Sequence, residues 1–323
     1  MSLNRRQFLI LGGLGSLGLL VANKVGLDRF TGSPWSSQVN NINNIFTTSQ
    51  ESSSSITSDG QTIAATESPM FRFVAVADTG TGGSGQYRVA AAMTRYHRQY
   101  PFDLVILAGD NIYNNGEIEK INAVFEKPYK PLLDQGVQFR ACLGNHDIRT
   151  ANGDPQVRYP GFNMTGRYYT FARDPVQFFA LDTNTNADWE AQQPWLEREL
   201  SQSTARWKIV FGHHQIYSSG HYGLNEGLIK RLTPVFRKYG VQLYINGHDH
   251  HYERSQPIDG TTYLICGAGA GTRPVGHSTW TAYSAQTLSF AAIAVYPDYL
   301  LIQGIGTRNQ IFDQGIVYRS LVG

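Results

Sequence analysis

Five apolar runs in this chain each stop at a residue type that binds metals or moves protons. They are FRFVAVAD, ending at Asp78; DLVILAGDNIY, carrying Asp110 and Tyr113; FRACLGNHD, with Asn145 and His146; WKIVFGHH, with His213; and QLYINGHDH, with His248 and His250. A strand buried on both faces reads as a continuous apolar run, and open α/β sheets gather ligands beyond the carboxyl ends of their strands. Five such ends would bring carboxylates, imidazoles, an amide and a phenol to one cleft. Carboxylate and phenolate oxygens are hard donors suited to trivalent iron, whereas imidazole suits iron, zinc and other divalent ions. The chemistry expected of such a set is that of a metal site.

Each candidate has a competing reading. Asp78 and Asp110 both precede predicted helices and could serve as N-caps, and Tyr113 could simply pack. GNHD and GHDH are sharper, because each puts imidazole beside oxygen donors directly after a strand. Alternate residues on an extended segment share a face, which would let His248 and His250 enter one cavity and serve adjacent metals. His214 and His251 flank these ligands and fit either a supporting or a structural role. His97 and His277 receive no role, and the GAGAG run at 267–271 reads as a turn or a pocket rim. The run from Gly80 to Gly85 fits GxGxxG, the dinucleotide fingerprint. It would make the chain an NAD- or flavin-dependent oxidoreductase, but Asp110 matches the expected acid poorly and GNHD and GHDH go unexplained.

The elements that must position these residues follow from periodicity and turn signals. Strands are predicted at 71–77, 104–108 and 137–143, with helices at 86–100 and 117–133 between them. A hairpin pairs 168–171 with 176–181 around Arg173-Asp174-Pro175. Then come a helix at 189–201, a strand at 208–211, a helix at 226–239 and strands at 242–245 and 262–266. Short strands at 290–296, 299–304 and 315–319 complete the chain. Early strand–helix alternation followed by hairpins predicts two mixed sheets, stacked and flanked by helices.

The chain has 323 residues, 41% of them hydrophobic, with 33 glycines and a formal charge of +2. That near-neutral balance argues against nucleic acid as a partner. Cys142 and Cys266 follow apolar residues in predicted strands and read as buried free thiols, with a disulfide left open. Asn4-Arg5-Arg6-Gln7-Phe8-Leu9-Ile10 resembles the twin-arginine export signal, and the Gly-interrupted apolar stretch to Ala22 is short for a membrane span but suits a signal. No small-x-small cleavage site follows Ala22, which leaves a retained membrane anchor open. Residues 24–68, rich in Ser, Thr, Asn and Gln, read as a flexible linker. The expected organisation is a signal or anchor at 1–23, the linker at 24–68 and a catalytic domain at 69–323.

Taken in order, the five segments resemble the motifs of purple acid phosphatases, within the wider metallophosphoesterase superfamily, over about residues 71–252. The resemblance implies a four-layer αββα sandwich. It implies that one iron takes Asp78, Tyr113 and His250, that a second metal takes Asn145, His213 and His248, and that Asp110 bridges them. Gly80 stands where many superfamily members carry a metal-binding histidine, and Tyr113 is available in its place. The cofactor implied is Fe(III) with a divalent metal (Fe, Zn or Mn), activating water against phosphorus; the resulting centre is net positive and attracts an anion. His146 and His221 are the implied donors to substrate or leaving group. The function expected is an exported acid phosphatase acting on small phosphate monoesters, periplasmic or secreted, with the twin-arginine machinery as its transport partner and the N-terminal segment as a membrane tether if retained. A phosphodiesterase or nucleotide hydrolase of the same superfamily is the nearest alternative, and a non-catalytic binding protein on the same fold is a third.

Overall fold

The structure, a computed structural model, describes residues 68–319. The expected signal at 1–23 and all but the last residue of the expected linker at 24–68 lie outside the described residues. Within them the apolar runs form strands that are buried at their carboxyl ends. β1 (Phe71–Val76), β2 (Leu104–Leu107) and β3 (Gln138–Ala141) lie side by side and parallel. The sheet continues on the other side of β1 with antiparallel β11 (Ser289–Val295), β12 (Tyr299–Gly306) and β13 (Ile311–Tyr318), giving the order β13-β12-β11-β1-β2-β3.

The second sheet runs β10-β8-β9-β7-β6-β5-β4. β4 (Tyr169–Arg173) and β5 (Val176–Ala180) form the expected antiparallel hairpin, and β5, β6 (Trp207–Phe211), β7 (Leu243–Asn246) and β9 (Thr262–Cys266) are successively parallel. β8 (Tyr252–Ser255) and β10 (Thr281–Ala285) complete it. Two mixed sheets with flanking helices are the expected architecture.

Side-chain alternation along each strand explains the layering. In β5, Phe178 meets Phe73 of β1 edge-on at 5.2 Å, joining the two sheets, while its neighbour Phe179 packs with Leu196, Leu200, Leu232 and Phe236 on the outer side. Those last four belong to α3 (Trp189–Gln202) and α4 (Glu226–Tyr239), which cover the second sheet. Both helices are capped as their sequences dictate. Asp188 accepts from Ala191 N–H at 3.1 Å and Asn225 from Leu228 N–H at 3.1 Å, and Gly240 ends α4 at φ 65°. On the first sheet, α1 (Ser84–Gln99) buries Val89, Met93 and Tyr96, the last against Phe290 of β11.

Three expectations need correction. The helix expected at 117–133 is broken into a 3₁₀ turn (Ile118–Lys120), a π segment (Asn122–Glu126) and α2 (Lys127–Leu133). Pro128 and Pro131 each lack an N–H, so a continuous ladder cannot form there. β8 and β10 were not expected, because YERS and TAYSA carry polar residues without an apolar run. The tail strand expected at 315–319 is longer and begins at Ile311. Cys142 and Cys266 are both buried and unpaired.

Candidate metal centre

The parallel registers set Val76 beside Leu107 and Leu107 beside Ala141 in one sheet, and Phe211 beside Ile245 in the other. The chain leaves all five strands at one edge, and backbone bonds between the sheets hold that edge together. Ala77 N–H donates to Cys266 C=O at 3.0 Å, and Gly269 N–H donates to Ala77 C=O at 3.2 Å. The turns are abrupt: Asp78, Asp110 and His248 take positive φ of 57°, 51° and 68°. Left-handed backbone costs a non-glycine residue roughly 1–2 kcal/mol and collects at functional sites. Glycines just before the ligands allow the close approach. A β-carbon on Gly144 would strike the Asp110 carboxylate, and one on Gly109 the His213 ring.

Two groups of donor atoms result. In the first, Tyr113 Oη lies 3.1 Å from Asp78 Oδ1 and 3.2 Å from His250 Nε2, which is itself 3.4 Å from Asp78 Oδ1. In the second, His213 Nε2 lies 3.0 Å from Asn145 Oδ1 and 3.2 Å from His248 Nδ1. Asp110 stands between them. Its Oδ1 is 3.5 Å from His213 Nε2, and Asp78, Asp110 and His213 can each offer an atom within 4.8 Å of the other two. All seven residues expected as ligands therefore converge.

The hydrogen-bond pattern fits a cation. His213 Nδ1 faces Ala108 C=O at 3.0 Å and must carry the ring proton, so Nε2 presents a lone pair. That lone pair points at Asn145 Oδ1, Asp110 Oδ1 and His248 Nδ1, an array that a positive ion between the atoms would satisfy. The electrostatics agree. Burial, then neighbouring histidines, pushes His213 well down and His248 down to about 2, so both imidazoles are neutral and ready to ligate. Burial raises Asp78 to about 6, opposed by His250 and reinforced by Asp110. Burial and then the charges of Asp78 and Asp110 drive the Tyr113 phenol far above its usual value. A bound cation reverses both upward shifts.

These directions set a pH dependence for metal capture. Below pH 6 the first donor group must release the protons of both Asp78 and Tyr113; above it the Asp78 proton is already gone and the phenol proton remains, while His213 and His248 of the second group have none to give. Apparent affinity at that group should rise more steeply with pH below pH 6 than above it, by about one further factor of ten per pH unit, because the Asp78 proton must leave as well as the phenol proton. Chelator competition across pH 4–8 measures this. A single break near the ordinary histidine range, about 6.5, together with proton release abolished by His248→Ala, would contradict it.

The competing readings of the carboxylates fail. The N-cap of α1 is Gly83, and Glu117 precedes the first 3₁₀ turn, so neither Asp78 nor Asp110 caps a helix. Gly80 packs on the Asn111 backbone and Gly85 on that of Ala270, so the GxGxxG glycines meet protein. The argument that placed His248 and His250 on one face of a strand also fails. β7 ends at Asn246, and the left-handed turn at His248 sends the two rings to different donor groups.

His146 lies at the mouth. Its Nδ1 donates to Asn114 C=O at 2.7 Å, its ring meets Tyr113 edge-on at 4.6 Å, and Nε2 faces Asp110 Oδ2 at 3.9 Å. His221 is exposed and sits farther out, its ring 4.8 Å from that of Tyr222, which stacks on His248 at 4.0 Å.

Several residues that matter here carried no signal in the sequence. Asp147 is fully buried and accepts from the N–H groups of Asn111, Ile112 and Gly144 at 3.1, 3.0 and 2.8 Å and from Gln156 Nε2 at 3.0 Å, clamping the Asp110 loop to the Asn145 loop. Thr183 Oγ1 takes the N–H groups of His213 and His214 at 3.2 and 3.0 Å. Buried His251 lies between Asp249, at 3.6 Å, and Glu253, at 3.1 Å. Asp249 in turn holds Ser218 Oγ and Tyr222 N–H, and Glu253 holds Ser219, so the loop bearing His221 is tied to the loop bearing His248 and His250. Only the GNHD and GHDH spellings hinted at the two aspartates.

Residues 71–252 match the calcineurin-like phosphoesterase family. Among curated relatives, purple acid phosphatase 17 of Arabidopsis thaliana is 32% identical over 234 residues, covering 61% of this chain and 68% of the relative. Tartrate-resistant acid phosphatase type 5 of Mus musculus is 27% identical, covering 62% and 73%. In fold, the chain is similar to a purple acid phosphatase from yellow lupin (Lupinus luteus) seeds, with TM-score 0.69, 20% identity and coverage of 79% and 55%. It is equally similar to GAP50, the anchor in the inner membrane complex of Plasmodium, with TM-score 0.68, 20% identity and coverage of 77% and 89%. The chain belongs to the calcineurin-like phosphoesterases and, within them, to the purple acid phosphatases. It is a hydrolase, a phosphoesterase with a dinuclear metal centre. The likeness to an anchor protein means that the fold alone does not decide activity; the donor set does.

Proposed function

We propose that the protein is an exported acid phosphatase that hydrolyses small phosphate monoesters with an Fe(III)–divalent metal pair. The observation that carries this reading is a phenol, a carboxylate and an imidazole within 3.4 Å of one another, beside a second group of amide and two imidazoles, with Asp110 between. Asp78, Tyr113 and His250 would hold the ferric ion, Asn145, His213 and His248 a divalent Fe, Zn or Mn, and Asp110 would bridge. When bound, the two ions supply Lewis-acid polarisation of phosphate oxygens and a lowered pKa for water.

The chain's own residues do the rest. Asp147 holds the ligand loops at fixed separation, and Ala108 C=O fixes the His213 tautomer. His146, oriented through Nδ1 by Asn114, presents Nε2 on the Asp110 side; without substrate that atom accepts from Arg149, and once protonated it can give its proton to the departing alkoxide as the bond from phosphorus to water's oxygen forms and the ester P–O bond breaks. His221, on the exposed lip, would meet the organic part of the ester.

Residues 1–23 would direct twin-arginine export to the periplasm or beyond, with the 24–68 linker tethering the catalytic domain if the signal is retained. The support is the Arg5-Arg6 pair followed directly by the apolar run.

The test is an absorption spectrum joined to substrate preference. Oxidised iron-loaded protein should show a visible phenolate-to-iron band that Tyr113→Phe abolishes, and turnover of p-nitrophenyl phosphate should exceed that of its bis-ester. A colourless iron-replete protein removes Tyr113 from the ligand set, and a preference for the diester selects the phosphodiesterase alternative.

A further inference from the structure

Arg149 is the last residue of the 3₁₀ turn Asp147–Arg149, which follows Asn145 and His146 and is anchored by the buried Asp147 carboxylate. Its guanidinium is exposed at the mouth of the site and held at two points. One nitrogen, Nη1, donates to Asn114 C=O at 3.1 Å; the other, Nη2, donates to His146 Nε2 at 3.3 Å. Among the described residues no carboxylate lies within 4.0 Å of it. Arg167, by contrast, is paired with Asp182 and Asp154 at 2.8 and 3.1 Å. The Arg149 charge therefore rests on a neutral carbonyl and an imidazole lone pair, acceptors much weaker than a phosphate oxygen.

His146 Nε2 also lies 3.9 Å from Asp110 Oδ2, so the same imidazole nitrogen meets the guanidinium and faces the carboxylate that would bridge the metals. An anionic oxygen entering there would meet Nη2 and Nε2 together. A phosphate monoester dianion carries three non-bridging oxygens and two charges; a diester carries two such oxygens and one charge. The third oxygen is the feature a guanidinium can select, because its planar fork suits phosphate.

We infer that Arg149 is a specificity-determining residue that binds the substrate phosphate and favours monoester dianions over diesters. The inference rests on the phosphoesterase reading of the site. A merely structural Arg149 would brace Asn114 and His146 and weaken every substrate alike.

Arg149→Met and Arg149→Lys, loaded with metal and checked by elemental analysis, separate these roles. The readouts are kcat and KM for p-nitrophenyl phosphate and its bis-ester, and calorimetric binding of inorganic phosphate. Losing one charge-assisted hydrogen bond should weaken phosphate binding, and raise KM for the monoester, by about 10- to 100-fold in Arg149→Met. The diester parameters should change by less than about threefold, and Arg149→Lys should recover part of the loss. Parallel losses on both esters with metal retained, or unchanged phosphate binding, would overturn the inference. Phosphate binding is read without turnover, so a wild type that hydrolyses neither ester would reject the phosphatase reading while still deciding whether Arg149 binds phosphate.

Discussion

Asp110→Asn is expected to empty both halves of the metal site, not one. The carboxylate is buried, accepts from His146 N–H at 2.9 Å and faces His213 Nε2 at 3.5 Å, with Asp78 close enough to share a cation. Asparagine keeps the shape and one carbonyl oxygen but removes the negative charge that both ions would share. Its amide N–H₂ would also face the lone pairs that would otherwise converge on a cation. Metal content should fall from about two ions per chain to well below one. Turnover should fall by on the order of 10³-fold or more, since each Lewis acid supplies several kcal/mol of transition-state stabilisation. Elemental analysis after extensive dialysis, with circular dichroism to confirm the fold, measures this. Retention of one ion at full occupancy would show that Asp110 serves a single metal.

His146→Ala is expected to be nearly as damaging, but in a substrate-dependent way. The ring is fixed by Asn114 C=O and by Tyr113, so Nε2 holds one direction, toward Asp110. A positioned general acid typically contributes 10²–10⁴-fold, and kcat on alkyl phosphates should fall by about that much. p-Nitrophenolate leaves readily without a proton, so its ester should be spared most of the loss. Comparing a series of esters of rising leaving-group pKa gives the answer. Near-normal turnover of alkyl phosphates would reject the role, and metal analysis guards against an indirect effect through Tyr113.

Much of this centre was legible because parallel strands buried on both faces leave uninterrupted apolar runs, and such strands deliver ligands at their ends. FRFVAVAD and QLYINGHDH announce both the strand and the donor that follows. What stayed hidden depends on contacts between distant loops. Asp147 serves as a hub through Asn111 and Gln156, 36 and 9 residues away, and nothing near it in sequence requires that. Glu253 reads as an ordinary polar residue until Ser219 and Thr281 are brought to it. Arg149 looks like a surface cation because its partner, Asn114 C=O, is a backbone atom 35 residues upstream. The two histidines of GHDH do reach the two donor groups, but through a left-handed turn and not through strand alternation. His221 was implied only by the family resemblance, and the fold puts it on the rim.

The strand that delivers Asp78 is flanked by β2 and by β11, with Phe71 opposite Val295. A nascent chain that has emerged only as far as residue 252 already contains every donor of the centre, yet β1 still has one unpaired edge. Closing that edge awaits a segment more than two hundred residues downstream, a slow, long-range pairing. Settling of the centre is thereby coupled to the emergence of β11: a ribosome-bound fragment that stops short of it would carry every donor with β1 still open on one side.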